Sequence, residues 1–356
     1  MPFKSPIATV KSLVSTAATL AAGFVGVAPA IAGPSGYHVL KTITIGSARG
    51  WDYLTMDSAA RRLYIGASDH VEVVDVDSGT VAGKIGDLAD VHGVALAPDL
   101  GRGFTVNGDT NSSTIIDLKT LKKIGDVRTG KSPDSMSYDG VTKRVFIMNV
   151  EDKTATAINA SNGTVAGTVA LGGRPEFAVA DGKGSVFVNI TDKSEMLEFD
   201  GRKLVAIHRW SLAPCDTPSG LSMDQKNRRL FSVCQNKMMV IMNADNGRVV
   251  ATPAIGEGVD ASVFDPDTQL AFASNGEGTL SVIHEDSPDK FTVMDKVPTQ
   301  FGARTMALDT KTHNILLVTE REAQDRAAWR QGRIPSLSWS SGNRGNQETR
   351  SPWRKL

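Results

Sequence analysis

Two cysteines in 356 residues limit this chain to one internal disulfide, and with no His or second Cys pair sharing their spacing they disfavour a metal centre there. A net charge is also lacking: Lys and Arg total 39, and so do Asp and Glu. That zero is a balance of unlike parts. Residues 1–32 carry Lys4 and Lys11 and no acid, and residues 320–356 carry eight basic and four acidic residues, so residues 33–319 hold a net charge of −6. An acidic body lacks the concentrated positive face that nucleic acid requires. After residue 32 no stretch is long and apolar enough to span a bilayer. H-E-x-x-H, a Walker loop, a dinucleotide fingerprint and a dedicated calcium loop are all missing, which removes the motif-defined enzymes of those types.

What the chain has is repetition. The stretch Asp57–Thr80 reads as an Asp-led turn, a short apolar strand (Leu63–Ile65), a polar turn and an alternating strand (Val71–Val76) closed by Asp-Ser-Gly-Thr. The phrase returns at Asp139, Asp181, Asp224, Asp265 and Asp309, and once with Ala97 in the Asp position. Successive anchors lie 40, 42, 42, 43, 41 and 44 residues apart. That period, with about four short strands per unit, is the signature of propeller blades, and seven anchors predict seven blades. The 34 glycines suit the many tight turns such an all-β fold needs.

Each unit parses as four antiparallel strands, innermost a to outermost d, with the a strands starting near Tyr53, Gly93, Ser135, Phe177, Gly220, Ala261 and Thr305. These read apolar on both faces, as strands packed between neighbouring blades should. The b strands often end in Asn107, Asn149, Asn189, Asn275 or Thr319, and the c strands in an acid or amide before a turn. Such residues form turns by bonding the backbone two residues on.

Strands ending F-T-V-N, F-I-M-N and F-V-N, followed by V-x-V-x-D-x-x-(S/T)-G, resemble the YVTN-repeat, YncE-like β-propeller family of exported bacterial proteins. W-D-Y-L-T-M-D (51–57), G-G-R-P-E-F (172–177), P-S-G-L (218–221) and G-A-R-T-M-A-L-D-T-K-T-H (302–313) add to the likeness, which covers residues 37–319. It implies the fold but no uniform activity. Members are described as binding or surface proteins, and more distant seven-bladed relatives include lactonases and a lyase.

The ends fit this organisation unevenly. Lys4 and Lys11 precede a largely apolar run, Leu13–Ile31, that ends in small-x-small patterns, so residues 1–32 read as a signal peptide cleaved after Ala32. The mature protein is then periplasmic or secreted, monomeric and without a membrane span. Residues 38–45 look like a d strand with no a–c before it, and so should sit outermost on blade seven and close the ring. Only six c strands can be named. After Val318-Thr319 comes a tail with seven Arg and three of the five Trp. Residues 320–356 are therefore expected to be an atypical, disordered end that leaves the last blade incomplete, with Ile334–Ser341 the one candidate substitute strand. The tail is read either as a shifted frame or divergent end, the favoured case, or as a basic segment for an anionic surface.

Chain direction places chemistry. In a four-strand meander, a starts and b ends on the same face. Cys215, just before strand a of blade five, and Cys234, near the end of its strand b, share that face, and two cysteines in an exported protein favour pairing. The residue five before each anchor forms a ring at the channel mouth: Asp52, His92, Asp134, Glu176, Ser219, Asp260 and Arg304, with Trp51 as an aromatic wall and Pro175 competing with Glu176 in blade four. Three readings stay open. The ring binds a small polar or cationic ligand, or a divalent cation; or His92 with a carboxylate such as Glu176 performs lactonase or lyase chemistry; or the acids cap strand amides and Arg304 neutralises them. Binding is the leading expectation, with another exported protein as the alternative partner and no cofactor required. Ser219 lies too far round the ring from His92 to form a triad.

Overall fold

The computed structural model describes residues 6–11 (as a strand only), 33–46 and 50–319. Residues 320–356 lie outside the described residues, and with them the expected disordered tail and the candidate strand Ile334–Ser341. Within the described residues the chain forms seven four-stranded antiparallel sheets. Six are continuous meanders, spanning 51–85, 91–128, 133–170, 175–211, 218–251 and 259–298. Blade one shows the pattern: Trp51–Asp57, Arg62–Ala67, His70–Asp75 and Thr80–Ile85 are its strands a to d.

Hydrophobicity falls from the axis outward. Strand a of blade five, Pro218–Asp224, is buried along its whole length, whereas strand d of blade one, Thr80–Ile85, is largely exposed. The b strands place one large ring at the same point of successive blades: Tyr64, Phe104, Phe146, Phe187, Phe231 and Phe272, all fully buried between sheets. Each contributes roughly 1.5–3 kcal/mol by burial, and this is why the repeat keeps an aromatic there.

The Asp anchors are structural. Asp57 accepts from the Ala60 amide at 2.8 Å, and Asp139, Asp181, Asp224, Asp265 and Asp309 accept from amides in the same a–b turn. Some also bond the next blade: Asp181 with Arg228 at 2.8 Å, Asp265 with His313 at 2.8 Å and Asp309 with Arg61 at 2.7 Å. The Arg61–Asp309 pair joins blade one to blade seven across the closure. The terminal amides of the b strands are structural too: Asn149 donates to Thr154 and Thr156, both at 3.0 Å, and Asn275 to Thr279 and Ser281, both at 3.0 Å, tying b to c.

Blade seven is assembled from both ends of the chain. Met306–Asp309 and Asn314–Val318 supply a and b, and His38–Thr44 is outermost, as the sequence implies. The c position, for which the C-terminal half offers no strand among the described residues, holds Pro6–Lys11. It pairs with the b strand (Ile7 with Val318 through Val10 with Ile315) and with the outer strand (Pro6 with Thr44 through Lys11 with His38). The sequence reading assigned this segment to the signal peptide and gave it no place in the sheet. If residues 1–32 are removed on export, the flanking strands lose the partner that joins them.

Candidate functional site

The a strands of neighbouring blades touch one another in a closed circle, and Met306–Asp309 packs against Trp51–Asp57 to complete it. The a strands of the first six blades start about two residues earlier than the pattern suggested, at Trp51, Val91, Pro133, Pro175, Pro218 and Val259. The ring residues of these blades therefore lie inside strand a rather than ahead of it.

In all six, the a–b register slips by one residue at the ring position. Val91 pairs with Asn107 and Gly93 with Val106, so His92 is the extra residue; Asp134 and Asp260 are skipped in the same way. In blades one, four and five the slip spans Asp52-Tyr53, Glu176-Phe177 and Ser219-Gly220. A β-bulge turns a side chain out of strict alternation. Six bulges at equivalent places aim six ring positions at one axis. In blade four Pro175 is paired with Ile190, so Glu176 and not Pro175 holds the ring position. Close backbone approach supports the ring: a Cβ on Gly66 would lie 2.0 Å from the carbonyl oxygen of His92, and one on Gly220 2.6 Å from that of Asp260.

Two clusters result. In the first, His92 Nδ1 lies 2.8 Å from Asp52 Oδ2 and 3.2 Å from Asp134 Oδ1, while His92 Nε2 lies 3.5 Å from Asp90 Oδ2. In the second, Arg304 Nε donates to Asp260 Oδ2 at 2.8 Å, and its guanidinium sits 5.1 Å from the centre of the Trp51 ring, a cation–π contact. Glu176 precedes Phe177, whose ring packs 4.6 Å from that of Tyr53. Ser219 is buried, and its hydroxyl donates to the Asp260 carbonyl at 3.1 Å, so it is occupied by the backbone. Among the described residues the carboxylates of Asp52, Asp134 and Asp260 bond to His92 and Arg304, not to strand amides.

The electrostatics are those of crowded acids. Burial raises the Glu176 carboxyl well above its ordinary value, and the charges of Asp134 and Asp260 add to the rise. Burial raises Asp134, against the pull of His92. Asp260 is pushed up to about 6 by burial, with Arg304 opposing. Burial alone would lower His92, but the charge on Asp134 and the bonds to Asp52 and Asp90 hold it well above the usual imidazole value. Solvent still reaches the well, since 21 % of each of the Asp134 and Asp260 side chains is exposed.

Three residues of the site escaped the sequence reading. Asp90 and Arg174 lie two residues before ring positions; Arg174 opposes the charges on Asp134 and Glu176. Tyr53 is the third. It is 8 % exposed, its hydroxyl has no hydrogen-bond partner among the described residues, and its pKa is raised well above normal by burial and then by Asp134, Glu176, Asp52 and Asp260. Leaving a buried hydroxyl unpaired costs roughly 1–3 kcal/mol. Strict alternation would have put Tyr53 on the face opposite Asp52, and only the bulge brings both to the well.

Cys215, in the loop before strand a of blade five, and Cys234, at the end of its strand b, form a disulfide with Cα atoms 5.5 Å apart. A bond of this kind fits an oxidising compartment. Among the described residues no helix is long and apolar enough to cross a membrane.

No family profile and no curated protein matches the chain. Solved structures do. One titled Kuenenia stuttgartiensis hydrazine synthase is similar at 12 % identity and TM-score 0.65, covering 78 % of this chain and 97 % of that one. One of the mitotic checkpoint complex is similar at 12 % identity and TM-score 0.68, covering 87 % and 99 %. The RRP9 WD40 repeats are similar at 9 % identity and TM-score 0.67, covering 77 % and 96 %. At these identities the likeness shows the β-propeller fold alone.

Proposed function

We propose that the chain is an exported propeller of the YVTN-repeat, YncE-like type that binds a small cationic or polar ligand in the acidic well around the axis. The observation that carries this is the row of bulges. Each adds one residue to strand a and directs Asp52, His92, Asp134, Glu176 or Asp260 to a shared point, an arrangement a merely closed ring does not need. Crowded carboxylates with raised pKa values favour a positively charged guest, because a cation relieves their repulsion. Trp51 and Arg304 give the well an aromatic wall and a fixed positive group able to orient a carboxylate on the ligand.

Binding is favoured over catalysis by the surroundings of His92. Both ring nitrogens face carboxylates, which raise its pKa and favour its protonated form, and a protonated imidazole is a poor general base. The lactonase or lyase reading needs that base.

Calorimetry against a panel of cationic metabolites, polyamines and lactones tests the proposal. The double variant Asp134→Asn, Asp260→Asn should weaken cation binding at least about tenfold, the effect of losing roughly 1.4 kcal/mol. Its melting temperature should hold or rise as repulsion is removed. A double variant that binds every ligand as the parent does makes the ring structural and ends this reading.

A further inference from the structure

Going one step further, and resting on the reading of the well as a cation site, we infer that Asp52, His92 and Asp134 form a binding site for one divalent first-row metal ion. A carboxylate oxygen of Asp52, one of Asp134 and a ring nitrogen of His92 all lie within 4.8 Å of one another. The two separations from Nδ1, 2.8 Å to Asp52 and 3.2 Å to Asp134, are those of neighbouring donors around one ion. With metal–ligand bonds of about 2.1 Å, adjacent donors stand roughly 3.0 Å apart in an octahedron and about 3.4 Å apart in a tetrahedron. The set comes from the a strands of three successive blades, held by three bulges, so it is fixed by the fold rather than by a loop.

Two further groups point the same way. Asp90 faces the other nitrogen of His92 at 3.5 Å, the place of the outer carboxylate that commonly orients a metal-binding histidine. The buried Tyr53 hydroxyl, without a hydrogen-bond partner among the described residues, feels the charges of Asp134, Glu176, Asp52 and Asp260 and so faces the same well. The ion would take the place of the proton that Nδ1 otherwise donates, and that proton leaves to solvent. One imidazole with two carboxylates suits Mn²⁺ or Zn²⁺ better than Ca²⁺, which prefers oxygen throughout. The other triad of this type, Asp265, Asp267 and His313, lies in an anchor turn: Asp267 is exposed, and Asp265 is held by the Asp267 amide at 3.1 Å as well as by His313.

The test is titration of the metal-free protein with MnCl₂ and with ZnCl₂, read by calorimetry, together with electron spin echo spectroscopy of the Mn²⁺ sample. One equivalent should bind, with a nitrogen coupling from one histidine. His92→Gln should weaken binding at least about a hundredfold and remove that coupling, and Asp134→Asn should weaken it as much and remove one carboxylate ligand. Circular dichroism melts confirm that each variant is folded, and Asp52→Asn serves if either of the others is not. Absence of metal binding, or binding unchanged in His92→Gln and Asp134→Asn, overturns the metal site. The organic-cation panel decides the wider reading separately: a folded protein that binds an organic cation through Asp134 and Asp260 but no metal loses this inference and keeps the other.

Discussion

Glu285 carries a pH dependence that can be read independently of the well. It is 1 % exposed at the boundary of blades five and six, accepts from Asn227 at 3.1 Å, and faces Asp224. Burial, and then the charge on Asp224, raises its pKa to about 7. A carboxyl whose folded value is raised favours the fold while protonated. Its contribution is therefore full below about 4.5 and is lost as pH rises through about 7. The shift corresponds to a loss on the order of 2–3 kcal/mol. Glu285→Gln, which keeps the shape and cannot ionise, should lessen the loss of stability over that window, to which the raised groups of the well also add, and leave the variant more stable than the parent at pH 8. Urea melts at pH 5 and pH 8 decide it: a parent equally stable at both, or a variant weaker at pH 8, contradicts the assignment. At this scale the sequence was readable where the repeat multiplies a signal. The anchor acids and the terminal Asn residues recur at fixed offsets, and two cysteines in an exported chain point to each other. Glu285 was invisible, because its partner comes from a blade 58 residues away and no repeat marks it.

The bulged a strand governs the site at the scale of elements. Period-two patterning tells which face a residue occupies only while the ladder is regular. One extra residue at Asp52-Tyr53 changes the side of everything before it, and no residue type announces the slip. The ring could still be found, because equivalence between repeats survives a bulge that every repeat shares. Tyr53 could not, since it stands outside that equivalence. Blade seven failed for another reason. Pro6–Lys11 lies ahead of an apolar run typical of an export signal, and nothing in six residues of mixed character marks a strand that pairs with partners about 30 and 300 residues away. The two roles can be separated. The full chain and a chain lacking residues 1–32 should differ in melting temperature by at least about 5 °C, since the shorter one leaves Asn314–Val318 and His38–Thr44 without a shared partner. Equal melting temperatures would show that Pro6–Lys11 contributes nothing to the closed blade.

Seven repeats around one axis make neighbours of residues more than 200 positions apart, such as Trp51 and Arg304. The whole molecule thus separates two tasks. Anchor turns join blades on one face through Arg61–Asp309, Arg228–Asp181 and His313–Asp265. Bulges on the other face fall at the ring residues His92, Asp134 and Asp260. The surplus of negative charge is what makes a cationic guest the best reading of that face. The most direct measurement is a crystal structure of the protein grown with MnCl₂, with anomalous difference density calculated at the manganese edge. The account predicts one peak in the well, about 2.1–2.2 Å from His92 Nδ1 and from carboxylate oxygens of Asp52 and Asp134. A well that holds only water, its carboxylates bonded to strand amides, would contradict it.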